Sequence, residues 1–96
     1  MIEIRKIEYD TPSYWGVVRL REIVLRLPLN RRFSKEELRN ESSELIFALY
    51  LDQKVISSCQ YIIKENSVKL RQVATLPKFQ KQGYGSMLHQ YAEQYL

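Results

Sequence analysis

The sequence predicts an α/β (α+β) fold, a mixed, mostly antiparallel sheet flanked by helices in the order β-α-α-β-β-β-α. Apolar residues recur at helical spacing between Pro12 and Leu27, and again after Gly83. From Leu45 to Leu76 three strand-like segments follow one another, parted by the short turns Asp52-Gln53 and Glu65-Asn66-Ser67, as in an antiparallel meander. A glycine-bearing loop then joins the last strand to the last helix.

Ile2, Ile4, Ile7 and Tyr9 mark a first strand that ends at Asp10-Thr11-Pro12. Thr11 suits an N-cap and Pro12 the first helical position, where its missing N–H costs nothing. Tyr14, Val17, Val18, Leu20, Val24 and Leu27 supply the apolar stripe of that helix, with Arg19, Glu22 and Arg26 on its wetter side. Pro28 disfavours helical geometry at Leu27 and is expected to end the run there. After an irregular connection, Asn30 to Phe33, Ser34 caps a short helix from Lys35 to Asn40, with Glu37 at the capping-box position.

Leu45 to Leu51 is apolar throughout, as in a strand buried on both faces. Lys54 to Lys64 supplies the next strand. In the third, Val68, Leu70, Gln72, Ala74 and Leu76 alternate with Lys69, Arg71, Val73 and Thr75, and the polar Arg71 and Gln72 need partners or a cavity. The last helix, Gly83 to Leu96, groups Met87, Leu88, Tyr91, Ala92, Tyr95 and Leu96 on one face. Ser86, His89, Gln90, Glu93 and Gln94 form the other, which makes His89 a solvated residue or, alternatively, a catalytic base.

Ninety-six residues allow one small domain. With 45% hydrophobic and 27% charged residues the chain is a folded protein rather than a disordered one. Neither a signal-type N-terminus nor a run long enough to span a bilayer occurs, so a cytosolic, membrane-free protein is expected. The single cysteine, Cys59, excludes an internal disulfide and a cysteine metal cage, and no metal site is expected. Cys59 reads as a small buried hydrophobe, with a nucleophile as the alternative. The net charge of +4 is compatible with nucleic acid, with an anionic cofactor, or with nothing beyond solubility. Its one local cluster, Arg26, Arg31, Arg32, Lys35 and Arg39, is interrupted by Glu36, Glu37 and Glu41 and reads as a solvated face, not as a nucleic-acid stripe.

The stretch from Val73 to Ser86 carries the chemistry. A loop that opens a helix aims several unpartnered N–H groups at one spot, and the helix dipole adds positive charge there. Such a spot binds phosphate. Gly83 and Gly85 relieve the backbone angles and leave room for a phosphate to reach the amides; an ordinary strand-to-helix turn is the alternative reading.

The spacing Gln80-x-x-Gly83-x-Gly85, after an apolar strand and before a helix, resembles motif A of the GCN5-related N-acetyltransferase (GNAT) family. That resemblance implies a GNAT-like (acyl-CoA N-acyltransferase) fold over residues 1–96, lacking the family's C-terminal strands, with acetyl-CoA as co-substrate. The pantetheine arm then maps onto the backbone of Val73 and Thr75. The pyrophosphate maps onto the N–H groups of Lys81, Gln82, Gly83, Tyr84, Gly85 and Ser86, with the Lys81 charge nearby. The implied reaction is acetyl transfer to a small-molecule or protein amine, and Leu29 to Phe33 either touch that acceptor or form a plain connector.

The catalytic residues are unknown. Histone-acetylating members carry a glutamate base on the strand before the loop, where motif register places Lys69. Glu41 and Glu44 are the remaining carboxylates considered, and neither is favoured. The resemblance also implies a strand edge and a helix face left uncovered, so self-association, as a dimer or larger homo-oligomer, is expected. A non-catalytic acetyl-CoA-binding or protein-interaction module is the alternative to an enzyme.

Overall fold

The computed structural model describes residues 1–96. Its elements are β1 (Ile2–Ile7), α1 (Pro12–Arg21), α2 (Lys35–Arg39), β2 (Leu45–Leu51), β3 (Lys54–Lys64), β4 (Ser67–Thr75) and α3 (Tyr84–Glu93). The four strands form one sheet in the order β1-β2-β3-β4, with every neighbouring pair antiparallel. No helix is long and apolar enough to cross a membrane.

Local signals place most of these boundaries. Thr11 adopts an extended conformation and its Oγ1 accepts the Tyr14 N–H at 3.2 Å, while Pro12 opens α1. Ser34 caps α2 reciprocally: Glu37 N–H donates to Ser34 Oγ, and Glu37 Oε1 accepts from Ser34 N–H, both at 3.1 Å. The hydrogen bond from the Ser34 backbone holds the Glu37 carboxyl below its usual range.

Three expectations are corrected. Helical geometry does not stop at Leu27: Glu22–Arg26 widens into a π turn, with Leu27 N–H donating to Glu22 O, and Leu27–Leu29 follows as a 3-10 turn. Pro28 lacks an N–H and its ring would meet the carbonyl four residues back, so the wider turn lets the chain continue. Asn30, left-handed at φ 58°, is where it ends.

In β4 the simple alternation fails. Ser58 pairs with Ala74 but Gln60 with Arg71, so Gln72 and Val73 together oppose Cys59, and Gln72 takes φ 53°. That bulge lets the half-buried Gln72 sit in β4 without a place in the core. The last helix ends at Glu93, not Leu96, and Met87, Tyr95 and Leu96 are exposed, because only Leu88 and Ala92 are fully covered by the sheet.

The sheet is the middle of three layers. Strand β2 is buried on both sides as its composition requires, sending Ile46, Ala48 and Tyr50 toward α1 and α2, and Phe47 and Leu49 toward α3. Val17, Val18, Phe33 and Leu38 complete the first core, and Ile56, Cys59, Tyr61, Leu88 and Ala92 the second.

The helical layer is tied down by a polar group that periodicity did not reveal. Arg21, Glu41 and Gln60 are 0%, 1% and 0% exposed. Arg21 donates to both Glu41 oxygens, at 3.0 and 2.6 Å, and to Gln60 Oε1 at 2.8 Å. Tyr14 OH donates to Glu41 Oε1 at 2.8 Å, and Gln60 Nε2 to Glu44 Oε1 at 2.8 Å. Burial, then the hydrogen bond to Glu41, push the Tyr14 phenol well above its usual range. Arg21 also lies over the Phe33 ring, 4.5 Å from its centroid.

Glu41→Gln strands a buried guanidinium, and urea unfolding is expected to show a loss of about 3–5 kcal/mol. The double replacement Arg21→Met with Glu41→Leu is expected to recover most of it. A loss below about 1 kcal/mol for the single change is the value typical of a solvated pair and contradicts this account.

Candidate functional site: the loop between β4 and α3

At the end of β4, Leu76 N–H donates to Ile56 O at 2.9 Å. By the two-residue alternation of a ladder, the backbone polar groups of Thr75 then face the sheet's free edge. Thr75 O accepts from Gln80 Nε2 at 3.0 Å, and Thr75 Oγ1 lies 2.8 Å from Ser57 Oγ. Pro77–Phe79 forms a 3-10 turn, and Lys81 and Gly83, left-handed at φ 63° and 86°, swing the chain into α3.

This path leaves a row of donors without acceptors. The N–H groups of Lys81, Gln82 and Gly83 donate to nothing in the chain. The first bond that closes α3 is Met87 N–H to Gly83 O, at 3.0 Å, so Tyr84, Gly85 and Ser86 have no intrahelical acceptor. Beside them opens a cleft of about 250 Å³ lined by Thr75, Phe79, Gln80, Lys81, Gly83, Tyr84, Gly85 and Ser86. Lys81 is exposed and forms no ion pair, and the dipole of α3 adds to its positive potential.

The two glycines act for different reasons. Gly83 needs its freedom because of its positive φ; Gly85 has an ordinary helical backbone, and a Cβ there meets nothing within 4 Å. The expectation that both relieve backbone strain therefore holds only for Gly83. At Gly85 the missing side chain widens the cleft it lines.

Of the residues singled out in the sequence, the cleft brings together Thr75, Lys81, Gly83, Tyr84, Gly85 and Ser86. Val73 sits at the β4 bulge, exposed and outside the lining; Gln82 donates its side-chain amide to Lys78 O at 3.1 Å. The contributions of Phe79, of the Gln80 side chain and of Ser57 were not foreseen. The motif marks Gln80, but its bond to Thr75 exists only because the 3-10 turn folds it back.

The carboxylates considered as bases are committed elsewhere. Glu41 is sealed in the Arg21 network, and Glu44 accepts from Gln60 with Arg71 Nε at 3.7 Å. His89 is not a free surface group: it is half-buried, and its Nδ1 lies 2.8 Å from Tyr61 OH, because α3 lies across β3. Cys59 is buried as expected, and burial pushes its thiol up to about 11. Burial likewise raises the Tyr61 phenol to about 12.

Gly83→Ala is expected to lower stability by about 1–2 kcal/mol, since a Cβ is strained at that φ. Gly85→Ala should raise it by roughly 0.5–1 kcal/mol through helix propensity, so thermal melts of the two variants shift in opposite directions. The unfolded Cys59 thiol ionises near pH 9.0, whereas the folded one keeps its proton to about 11. Its contribution to stability is therefore complete below pH 9 and lost as pH rises toward 11, and denaturant midpoints should fall less steeply across that window in Cys59→Ala.

The sequence matches the model of the Acetyltransferase (GNAT) family over residues 3–96. No curated protein matches it. Among solved structures, an aminoglycoside acetyltransferase from an uncultured soil metagenomic sample, in complex with trehalose, superposes with a TM-score of 0.74 at 20% identity, covering 98% of this chain and 68% of that one. The ribosomal-protein-S18-alanine N-acetyltransferase of Escherichia coli gives 0.77 at 16%, covering 99% and 59%. The PaiA N-acetyltransferase of Thermoplasma acidophilum, in complex with coenzyme A, gives 0.73 at 16%, covering 99% and 71%. The chain thus spans 59% to 71% of these neighbours' lengths, and at such identities the likeness is one of fold. The match over residues 3–96, with the antiparallel sheet and the glycine loop opening α3, places this chain in the acetyltransferase (GNAT) family.

Proposed function

We propose that residues 1–96 act as one GNAT-like domain that binds acetyl-CoA at the β4–α3 loop and transfers its acetyl group to an amine in the cytoplasm. The observation that carries the reading is the row of unpartnered N–H groups from Lys81 to Ser86 beside a cleft. Hydrogen bonds to a charged acceptor contribute about 1.5–3 kcal/mol each, so four or five support micromolar binding after association entropy.

The residues present fit the group. A cleft of about 250 Å³ is smaller than a site for a whole cofactor and suits its diphosphate. Lys81 sets a cation beside that position, Gly83 and Gly85 keep side chains away from the amides, and Gln80 holds Thr75 O. The N–H of Thr75 and the backbone of the neighbouring Val73 on β4 are left to meet the pantetheine arm. Acetyl-CoA supplies an activated thioester; an amine with a pKa near about 10 must first give up its proton.

A second reading is a module that binds acetyl-CoA without turnover. It is favoured by the commitment of Glu41 and Glu44 to buried bonds and by a cleft lining without a carboxylate.

Calorimetric titration of acetyl-CoA into the protein is expected to give saturable, micromolar binding that Gly83→Asp abolishes. Absence of binding, or binding unchanged by the substitution, overturns the cofactor assignment. Release of free CoA thiol that depends on an added amine separates the enzyme from the binding module.

A further inference from the structure

Helical spacing sets Gly16, Leu20 and Ile23 on one face of α1 and the π turn that continues it. At the hairpin end of β3 the chain returns to meet that face. Leu76 N–H donates to Ile56 O at 2.9 Å, which brings Leu76 beside Val55. Between these surfaces lies a groove of about 160 Å³ whose apolar walls are Leu20, Ile23, Val55 and Leu76. Arg19 and Lys54 add two cations, and no carboxylate lines it. Both cations are exposed. Lys54 forms no ion pair, and Arg19 has one loose contact, 3.9 Å from Glu22.

The remaining wall is Gly16. After proline, glycine is the poorest former of a helix interior. Gly16 has an ordinary helical backbone, and a Cβ there would meet nothing within 4 Å. Neither backbone strain nor crowding therefore calls for glycine at this position; its bare backbone keeps the groove open along the middle of α1. We propose that this groove binds a small carboxylate with an apolar body of about six carbons, since a dry apolar cavity of roughly 150 Å³ accepts benzene. The apolar walls take the hydrocarbon, and Lys54 and Arg19 set positive charge beside the carboxylate. Exposed cations alone hold a carboxylate weakly, so the site selects a ligand that carries both parts. Its walls come from α1, the π turn and the adjoining ends of β3 and β4, and none of its residues lines the β4–α3 cleft. The proposal thus does not depend on cofactor binding.

The probe is hexanoate, titrated into the full chain and followed by amide chemical shifts. Those of Gly16, Val55 and Leu76 are expected to move saturably, with a Kd of about 1 mM or tighter. Hexylamine, with the same chain and the opposite charge, should bind at least about tenfold more weakly. Gly16→Leu fills the groove and should abolish the shifts at Val55 and Leu76, and Lys54→Glu should weaken binding about threefold or more. Gly83→Asp, which bears on the cofactor cleft, should leave hexanoate binding intact. Equal affinity for hexylamine, binding unchanged in Gly16→Leu, binding lost in Gly83→Asp, or shifts confined to Lys81–Ser86 overturns the proposal. Lys54 is exposed, so a folded Lys54→Glu variant is expected, and hexylamine tests the charge requirement without any substitution.

Discussion

The helical layer depends on the ion pair between Arg21 and Glu41. Each partner is sealed from water, and each alone would cost several kcal/mol to bury. Together with Tyr14 and Gln60 they join the end of α1, the 3-10 turn after α2, and the middle of β3. An apolar contact there would tolerate sliding; a bidentate pair with a third acceptor does not, because guanidinium and carboxylate meet in one geometry. The register of α1 on the sheet follows, and with it the position of Phe33, clamped between Arg21 and Arg26 at 4.5 and 4.3 Å.

The opposite layer is held by packing and a single hydrogen bond, between His89 and Tyr61, and that difference bears on the site. Leu88 and Ala92 seat α3 on Phe47, Leu49 and Tyr61, which sets where its N-terminus ends. The loop must reach that point from Thr75 in eight residues, Leu76 to Gly83, and does so through a 3-10 turn and two left-handed residues. The strain at Lys81 is offset by the rest of the path, and at Gly83 it is avoided by the absence of a Cβ. The outcome is a row of amides with no internal acceptor, the same condition that makes a helix start receptive to an anion.

Polar residues in otherwise apolar segments proved the informative ones, and their roles differed from what their type suggests. Arg21 carries a charge within the apolar stripe of its helix, and it is tolerated there because Glu41, twenty residues on, returns to meet it. His89 falls on the wetter side of α3 by periodicity, yet it bonds to Tyr61 because β3 extends beneath that side. In both cases the deciding partner is distant in sequence, and no local pattern names it.

What the sequence by itself determined is whatever rests on contacts between near neighbours. The caps at Thr11 and Ser34, the doubly buried β2, the meander and the glycine loop are all legible, since each needs only the properties of adjacent residues. Tertiary structure alone decided the Arg21–Glu41–Gln60 network, the bulge at Gln72, the π turn before Pro28 and the cleft beside Thr75. These depend on pairing between segments far apart in the chain, where register and packing, not local preference, choose which polar group is buried and which amide stays open.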